Sequence, residues 1–281
     1  MSTESTTSIS AASPPEFRHP GGVRGILRRR PWLREWLIFL VALVTYEGSR
    51  ALVIGDASLA VTNATGIINW EKSSGLFVEL SIQQVLLNHL DITKALNEFY
   101  MLAHWIVTPL FFIWIYRSRR TLYPYIRNAF LAANGIALII YIVFPVAPPR
   151  LLTDMGFVDT LAGISKINLH GGVLSKWFNA DAAMPSMHFG YAFMIGVVAA
   201  ILVHSWALRV LALAYPTLVF ITITGTANHY ISDSLVGALV IAAGFVVVQV
   251  WMIAWPRVRP TAVRLAGRAA AAPVAALRAP D

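Results

Sequence analysis

The sequence predicts an all-α, polytopic membrane protein with six transmembrane helices, interfacial helices between the first two spans and a cap loop before the fourth. Hydrophobic residues make up 57% of the 281 and charged residues only 13%, where a soluble globular chain carries roughly a quarter charged. Apolar runs of about twenty residues recur, the length that crosses a hydrocarbon core of about 30 Å as a helix. The arginines sit in short clusters beside these runs, so the net charge of +8 reads as membrane orientation and not as a nucleic-acid surface. The absence of cysteine excludes disulfides, thiolate metal sites and a thiol nucleophile.

Taken in order, residues 1–30 are expected to form a disordered cytoplasmic tail, opening on a stretch rich in Ser, Thr and Pro. Residues 31–256 form the membrane domain, and 257–281, rich in Ala, Arg and Pro, a second cytoplasmic tail. The first span runs from about Trp36 to Val53 behind Arg28, Arg29, Arg30 and Arg34, and is retained because no small-residue cleavage site follows. Glu47 and Arg50 near its far end should face the protein interior or the interface. Between Gly55 and Asp91 the chain is too polar to span, yet Leu76, Leu80, Ile82 and Val85 recur at helical spacing, which predicts short amphipathic or re-entrant helices.

The second span, about Ala95 to Tyr116, stops at Arg117, Arg119 and Arg120. The third, about Asn128 to Val146, ends where Pro145, Pro148 and Pro149 break the helix and present Arg150. The loop Leu151–Ala182, with Asp154, Asp159, His170 and Asp181, is expected to cap what lies beneath. Spans four to six cover about Pro185–Val203, Arg209–Thr226 and Ile231–Trp255. With this topology sixteen of the 22 basic residues fall on one side, which puts both termini in the cytoplasm. His188, His229, Asp233 and Arg150 then converge on the outer face.

That convergence points to chemistry. His229 and Asp233 are four apart, so they share a face if Asn228 begins the last helix. The carboxylate then accepts from one imidazole nitrogen and leaves the other basic and free to attack. His188 follows Pro185 and Ser186 at a helix start, where a proline is well placed, Ser186 can cap and free amides attract an anion such as phosphate. Arg150 adds a planar donor fork. Asn97, Tyr100 and His104 share a face of the second span, as a pocket lining or as a plain interhelical network. Asn228, Tyr230 and Asp181 are further pocket candidates. An Asp four residues after a His is by itself often a structural pair, and a lone interfacial histidine such as His19, His89 or His204 is ordinarily just solvated. No His-Glu-x-x-His set exists, so neither a metal ligand set nor a cofactor is expected.

Residues 183–190, Ala-Met-Pro-Ser-Met-His-Phe-Gly, and 228–233, Asn-His-Tyr-Ile-Ser-Asp, resemble two motifs of the type 2 phosphatidic acid phosphatase superfamily. The Pro145–Arg150 segment, followed by Phe157-Val158-Asp159-Thr160, is similar to the branch of inositol phosphorylceramide synthase. The resemblance covers roughly residues 45–250. It implies a six-helix core and metal-independent phosphoryl transfer, with His229 forming a phosphohistidine, Asp233 orienting it, His188 protonating the leaving group and Arg150 holding the phosphate. The superfamily's Ser-Arg pair before the nucleophile is replaced by Thr222 and Ile223, and its Lys-x6-Arg-Pro motif is absent, with Val143 and Leu151 at the corresponding places. Arg50, Lys166 and Lys176 are candidates for the missing cation. The expected function is transfer of a phospholipid headgroup to a polyol or sugar-alcohol acceptor, with lipid phosphate hydrolysis as the alternative. A non-catalytic lipid or anion binder or transporter is the alternative of another class, in which the histidines bind and do not attack.

Overall fold

The protein is described by a computed structural model covering Leu27 and residues 29–52, 57–167 and 182–276, without the side chains of 46, 47, 49–52 and 256–276. The side chains of Glu47 and Arg50, and His170, Lys176 and Asp181, lie outside the described residues. Two compact units divide the chain, Met1–Thr45 and Tyr46–Asp281. The first contains most of helix α1 (Pro31–Leu52), which starts on a proline whose fixed φ suits a first turn. Within it Arg34 reaches the buried Glu35 at 2.9 Å.

The second unit holds α2 (Ala57–Ser73), α3 (Glu79–Leu87), α4 (Leu90–Ser118), α5 (Tyr123–Val143), the short α6 (Thr160–Gly163), α7 (Met187–Leu202), α8 (Trp206–Gly225) and α9 (Ile231–Ala276). No strand occurs among the described residues. Among the described residues, four helices are long and apolar enough to cross a membrane: α4, α5, α8 and residues Ile231–Trp255 of α9. Helix α7 is apolar but has 16 residues, about 24 Å at 1.5 Å per residue. Leu110, Ile139, Ile201, Leu211, Leu239 and Trp251 are all more than half exposed. Such a surface suits lipid and not water, which fits a membrane protein.

Helix α9 packs on α5 and α7, α7 on α8, and α4 on both α7 and α8, while α3 bridges α4 and α8. Without a hydrophobic drive between helices in lipid, small residues set the contacts. Ala129, Ala133 and Ala137 form a buried stripe on α5, and a side chain on Gly244 of α9 would collide with Ala129 and Ala133.

Several expected boundaries move. The second span starts at Leu90 and not near Ala95, and the third starts at Tyr123 with Pro124 in its first turn and ends at Val143, before Pro145. Pro185 stands outside α7, ahead of the cap residue Ser186. Helix α9 begins at Ile231, as expected of the sixth span, so Asn228 does not begin it, and it runs unbroken past Trp255 to Ala276. Helix α2, read as interfacial, turns Ala60, Ala64, Ile67 and Ile68 into the main core cluster with Val146, Ala147, Phe157, Ala183 and Tyr230. Its apolar face is thus the floor beneath the Pro145–Arg150 segment.

Candidate active site

Residues 145–148 are irregular and Pro149–Leu151 form one 3-10 turn, yet 145–150 are all buried, a combination that requires each backbone polar group to find a protein partner. Three prolines reduce the demand because they carry no N–H. Pro145 O accepts from Asn63 Nδ2 at 2.8 Å, Val146 O from Ala183 N at 2.8 Å and Ala147 O from Tyr230 Oη at 3.1 Å. Ala147 N donates to Ala60 O at 3.1 Å and Arg150 N to Ala227 O at 2.8 Å. The last bond delivers Arg150 to the turn that carries His229. Its guanidinium is 3% exposed as a residue, donates through Nε to Asn228 Oδ1 at 3.1 Å and lies 3.8 Å from Asp159 Oδ2. A buried cation needs such partners, and a planar fork held at one edge is preset for a phosphate.

Helix α8 ends in a tight reversal. Ala227 adopts φ +54°, and Asn228 N and His229 N both donate to Ile223 O, at 2.9 and 3.1 Å. Glycine usually takes this left-handed position; here a completely buried alanine does, so the surrounding core imposes the turn. His229 therefore precedes α9 instead of lying on it. Asp233, in the first turn of α9, reaches back to accept from Tyr230 N at 3.0 Å and pairs through the same Oδ2 with His229 Nδ1 at 3.3 Å. Asp233 is fully buried and His229 is 5% exposed. His229 Nε2 has no hydrogen-bond partner among the described residues. With Nδ1–H donating to the carboxylate, Nε2 carries the lone pair.

The start of α7 lies against the same turn. Ser186 caps the helix by accepting from Phe189 N at 3.4 Å, and its own amide donates to Asp233 O at 2.9 Å. A Cβ on Gly237 would overlap Ser186 O, and one on Gly190 would come within 3.0 Å of Gly237 O. This close approach is what glycine permits on both helices. Tyr141 Oη, from α5, fixes the segment further by donating to Pro185 O at 2.7 Å. His188, half-buried, stands with its ring 5.8 Å from that of His229, 4.3 Å from Tyr100 and 4.4 Å from His104.

The structure thus brings His229, Asp233, His188, Tyr100 and His104 to one place, with Arg150 joined to it through Asn228. Ser186 adjoins it as a buried helix cap. Asn97 faces elsewhere: fully buried, it donates to Thr160 O and Ser165 Oγ, both at 2.9 Å, and so anchors the cap segment. Tyr230 is completely buried with its hydroxyl on Ala147 O, which makes it a strut under Arg150 and not a pocket wall. Lys166 is exposed and donates to Gly163 O at 2.9 Å, within its own loop. Thr222 and Ile223 are core residues whose carbonyls hold the turn, so no cation stands there. Among the described residues no group of three His, Asp or Glu side chains is arranged to hold a metal ion.

Two carboxyls were missed from the sequence. Glu79 Oε1 accepts from Ile231 N at 2.9 Å, and Glu71 Oε1 accepts from Ser232 N at 2.9 Å and Ser232 Oγ at 2.7 Å. Both are fully buried. The available signal was register, since Glu71 continues the apolar stripe Ala60, Ala64, Ile67, Ile68 at helical spacing. Gln83 was missed likewise; it pairs both ways with the Val158 backbone, at 2.8 and 3.0 Å.

No curated protein and no solved structure matches the chain. A family match extends over residues 65–247, well over half the chain and from within α2 to the middle of α9. It embraces Arg150, His188, His229 and Asp233 together, and by it the chain belongs to the PAP2 superfamily.

Proposed function

We propose that the protein transfers a phosphoryl-bearing headgroup from a phospholipid to an alcohol through a phosphohistidine at the extracytoplasmic face of the cell membrane. The observation that carries this is the state of His229, whose Nδ1 is committed to Asp233 while Nε2 has no protein partner among the described residues. Membership of the PAP2 superfamily points to phosphoryl transfer or phosphatase activity on lipid phosphates. In the first step Nε2 attacks phosphorus, the N–P bond forms, and the P–O bond to the lipid alcohol breaks as His188 delivers a proton to the leaving oxygen. In the second, an acceptor hydroxyl attacks phosphorus, gives its proton to His188 and releases His229. Arg150 balances the charge spread over the phosphoryl oxygens. No step calls on a metal ion. Six spans, counting α1 and α7 with α4, α5, α8 and the first part of α9, leave both termini in the cytoplasm, as the positive-inside distribution of arginine requires.

The transferase reading is favoured over simple hydrolysis by the segment 153–167. It is fastened beside the site through Gln83, through Asn97, and through Thr160 Oγ1 on Thr226 O at 3.2 Å, and such a cover disfavours water as the acceptor. The preferred acceptor is a polyol or sugar alcohol. Purified protein incubated with phosphate-labelled phospholipids, with and without inositol or glycerol, tests it. An acid-labile phosphoenzyme and a labelled phospho-alcohol are expected. Free phosphate released regardless of added alcohol makes the protein a lipid phosphatase, and the absence of both products from every lipid phosphate supplied makes it a binder or transporter.

A further inference from the structure

The first turn of α9 is held by three carboxyl side chains from three elements. A helix start leaves amide donors without intrahelical partners, and here Tyr230 N, Ile231 N and Ser232 N are taken in succession by Asp233, Glu79 and Glu71. The two glutamates reach this point because the chain between them folds back on itself. Glu71 O accepts from Leu76 N and Phe77 N at 2.8 and 3.2 Å, and Gly75, at φ +70°, makes the reversal. Glu79 then stands in the first turn of α3, and its carboxyl and that of Glu71 sit on the adjacent amides of Ile231 and Ser232. All three carboxyls are 0% exposed. The start of a helix offsets about half a charge, which cannot balance three buried anions.

Taking His229 and Asp233 as the reacting pair, we propose that Glu71 and Glu79 are its positioning residues, two buried carboxyls that share one proton and clamp the first turn of α9 so that Asp233 meets His229. Glu71 Oε2 and Glu79 Oε2 are buried with no hydrogen-bond partner among the described residues, and two buried carboxyls on adjacent amides hold a proton more readily than two charges. Burial, and after it the neighbouring Glu79 side chain, pushes the Glu71 carboxyl up to about 8, against the opposing pull of its bonds to Ser232. The other titratable groups bearing on the pair are Tyr230 and Asp233, with His229 behind Asp233. Lys72 is turned away, its ammonium 5.0 Å from the Phe77 ring centroid. Loss of the shared proton sets like charges against each other and forces at least one Oε1 off its amide. The turn then loses its register, and with it the alignment of Asp233 and His229.

The sign follows from proton binding. Between the ordinary carboxyl value of 4.5 and about 8 the folded protein holds a proton that the unfolded chain has released. Stability from this group is full below that window, falls as pH rises through it and levels off above it. Glu71→Gln keeps the acceptor for Ser232 and offers Glu79 a permanent N–H, imitating the protonated pair.

Two readouts test the pair. In thermal unfolding of the full chain in detergent micelles from pH 5 to 9, the wild-type midpoint should fall more steeply with pH than that of Glu71→Gln. In turnover of labelled phospholipid, the wild type should lose kcat near pH 8 with KM unchanged. Glu71→Gln should keep neutral-pH kcat within about threefold and move that limb up by at least about one pH unit, while Glu71→Ala loses on the order of 10- to 100-fold in kcat. Parallel unfolding curves, or an alkaline limb that Glu71→Gln leaves in place, overturn the proposal. Should wild-type protein turn over no lipid, the reading of His229 as a nucleophile fails, and the unfolding curves still decide the pair.

Discussion

His229 and His188 face each other across one site, yet their surroundings differ. The turn carrying His229 is fastened on every side: Ile223 O holds its backbone, Ala227 sets its direction, Asp233 takes its Nδ1, and Glu71 and Glu79 hold the helix that follows. His188 is half-buried on the first turn of α7 and stands among the rings of Tyr100 and His104. The difference matches two chemical tasks. A nucleophile needs one tautomer and one direction of attack, which rigid hydrogen bonding supplies. A general acid needs access to a leaving oxygen that the substrate brings, and a ring-lined, partly open position provides that.

The sharpest way to break this comparison is at the fastened side. His229→Ala should abolish the phosphoenzyme and lower turnover by at least about 10⁴-fold, and Asp233→Asn, which removes the orienting carboxylate, by about 10³-fold in kcat. Quench-flow trapping of labelled protein reads both. A His229→Ala variant that still forms phosphoenzyme assigns the nucleophile elsewhere. At the open side, His188→Ala should lose about 10²- to 10³-fold on a natural phospholipid but much less on a substrate with a nitrophenolate leaving group, which departs without a proton. Equal losses on both substrates mean that His188 holds the phosphate and does not protonate. The smallest effect belongs to the cover: Gln83→Ala leaves the Val158 backbone unpaired and should cost about 1–3 kcal/mol in denaturant unfolding. It should also raise hydrolysis relative to transfer, and an unchanged product ratio removes the cap from the account of acceptor choice.

Much of the site could be read from residue types and spacing, because its members lie at the ends of apolar runs and each run end maps onto a membrane surface. The runs near residues 100, 135, 215 and 240 became helices of spanning length within a few residues of expectation. Helix boundaries were less legible. The sixth span was placed from about Ile231, where α9 starts, but nothing local marks the turn before it, which depends on Ala227 being forced to positive φ by the packed core. Tyr230 and Asn97 looked like pocket residues because polar side chains in a membrane suggest function, yet both spend their polar atoms on neighbouring backbone. Glu71 and Glu79 lie in a segment too polar to span, and only their register, which puts them on the buried faces of α2 and α3, marks them out.

By itself the sequence determined the membrane as solvent, through the length of its apolar runs, and the order in which Arg150, His188, His229 and Asp233 arrive. It also determined one helix end, since α5 stops just before Pro145, Pro148 and Pro149, although Pro109 and Pro216 lie inside α4 and α8. The His229–Asp233 pair could be read from spacing, but only the tertiary structure decided which other polar groups complete one another: Asn228 with Arg150, and the two glutamates with the first turn of α9. The physical reason is desolvation. A buried donor or acceptor must find its partner wherever the fold brings one, and here the two glutamates and the turn they hold are separated by more than 150 positions in the chain.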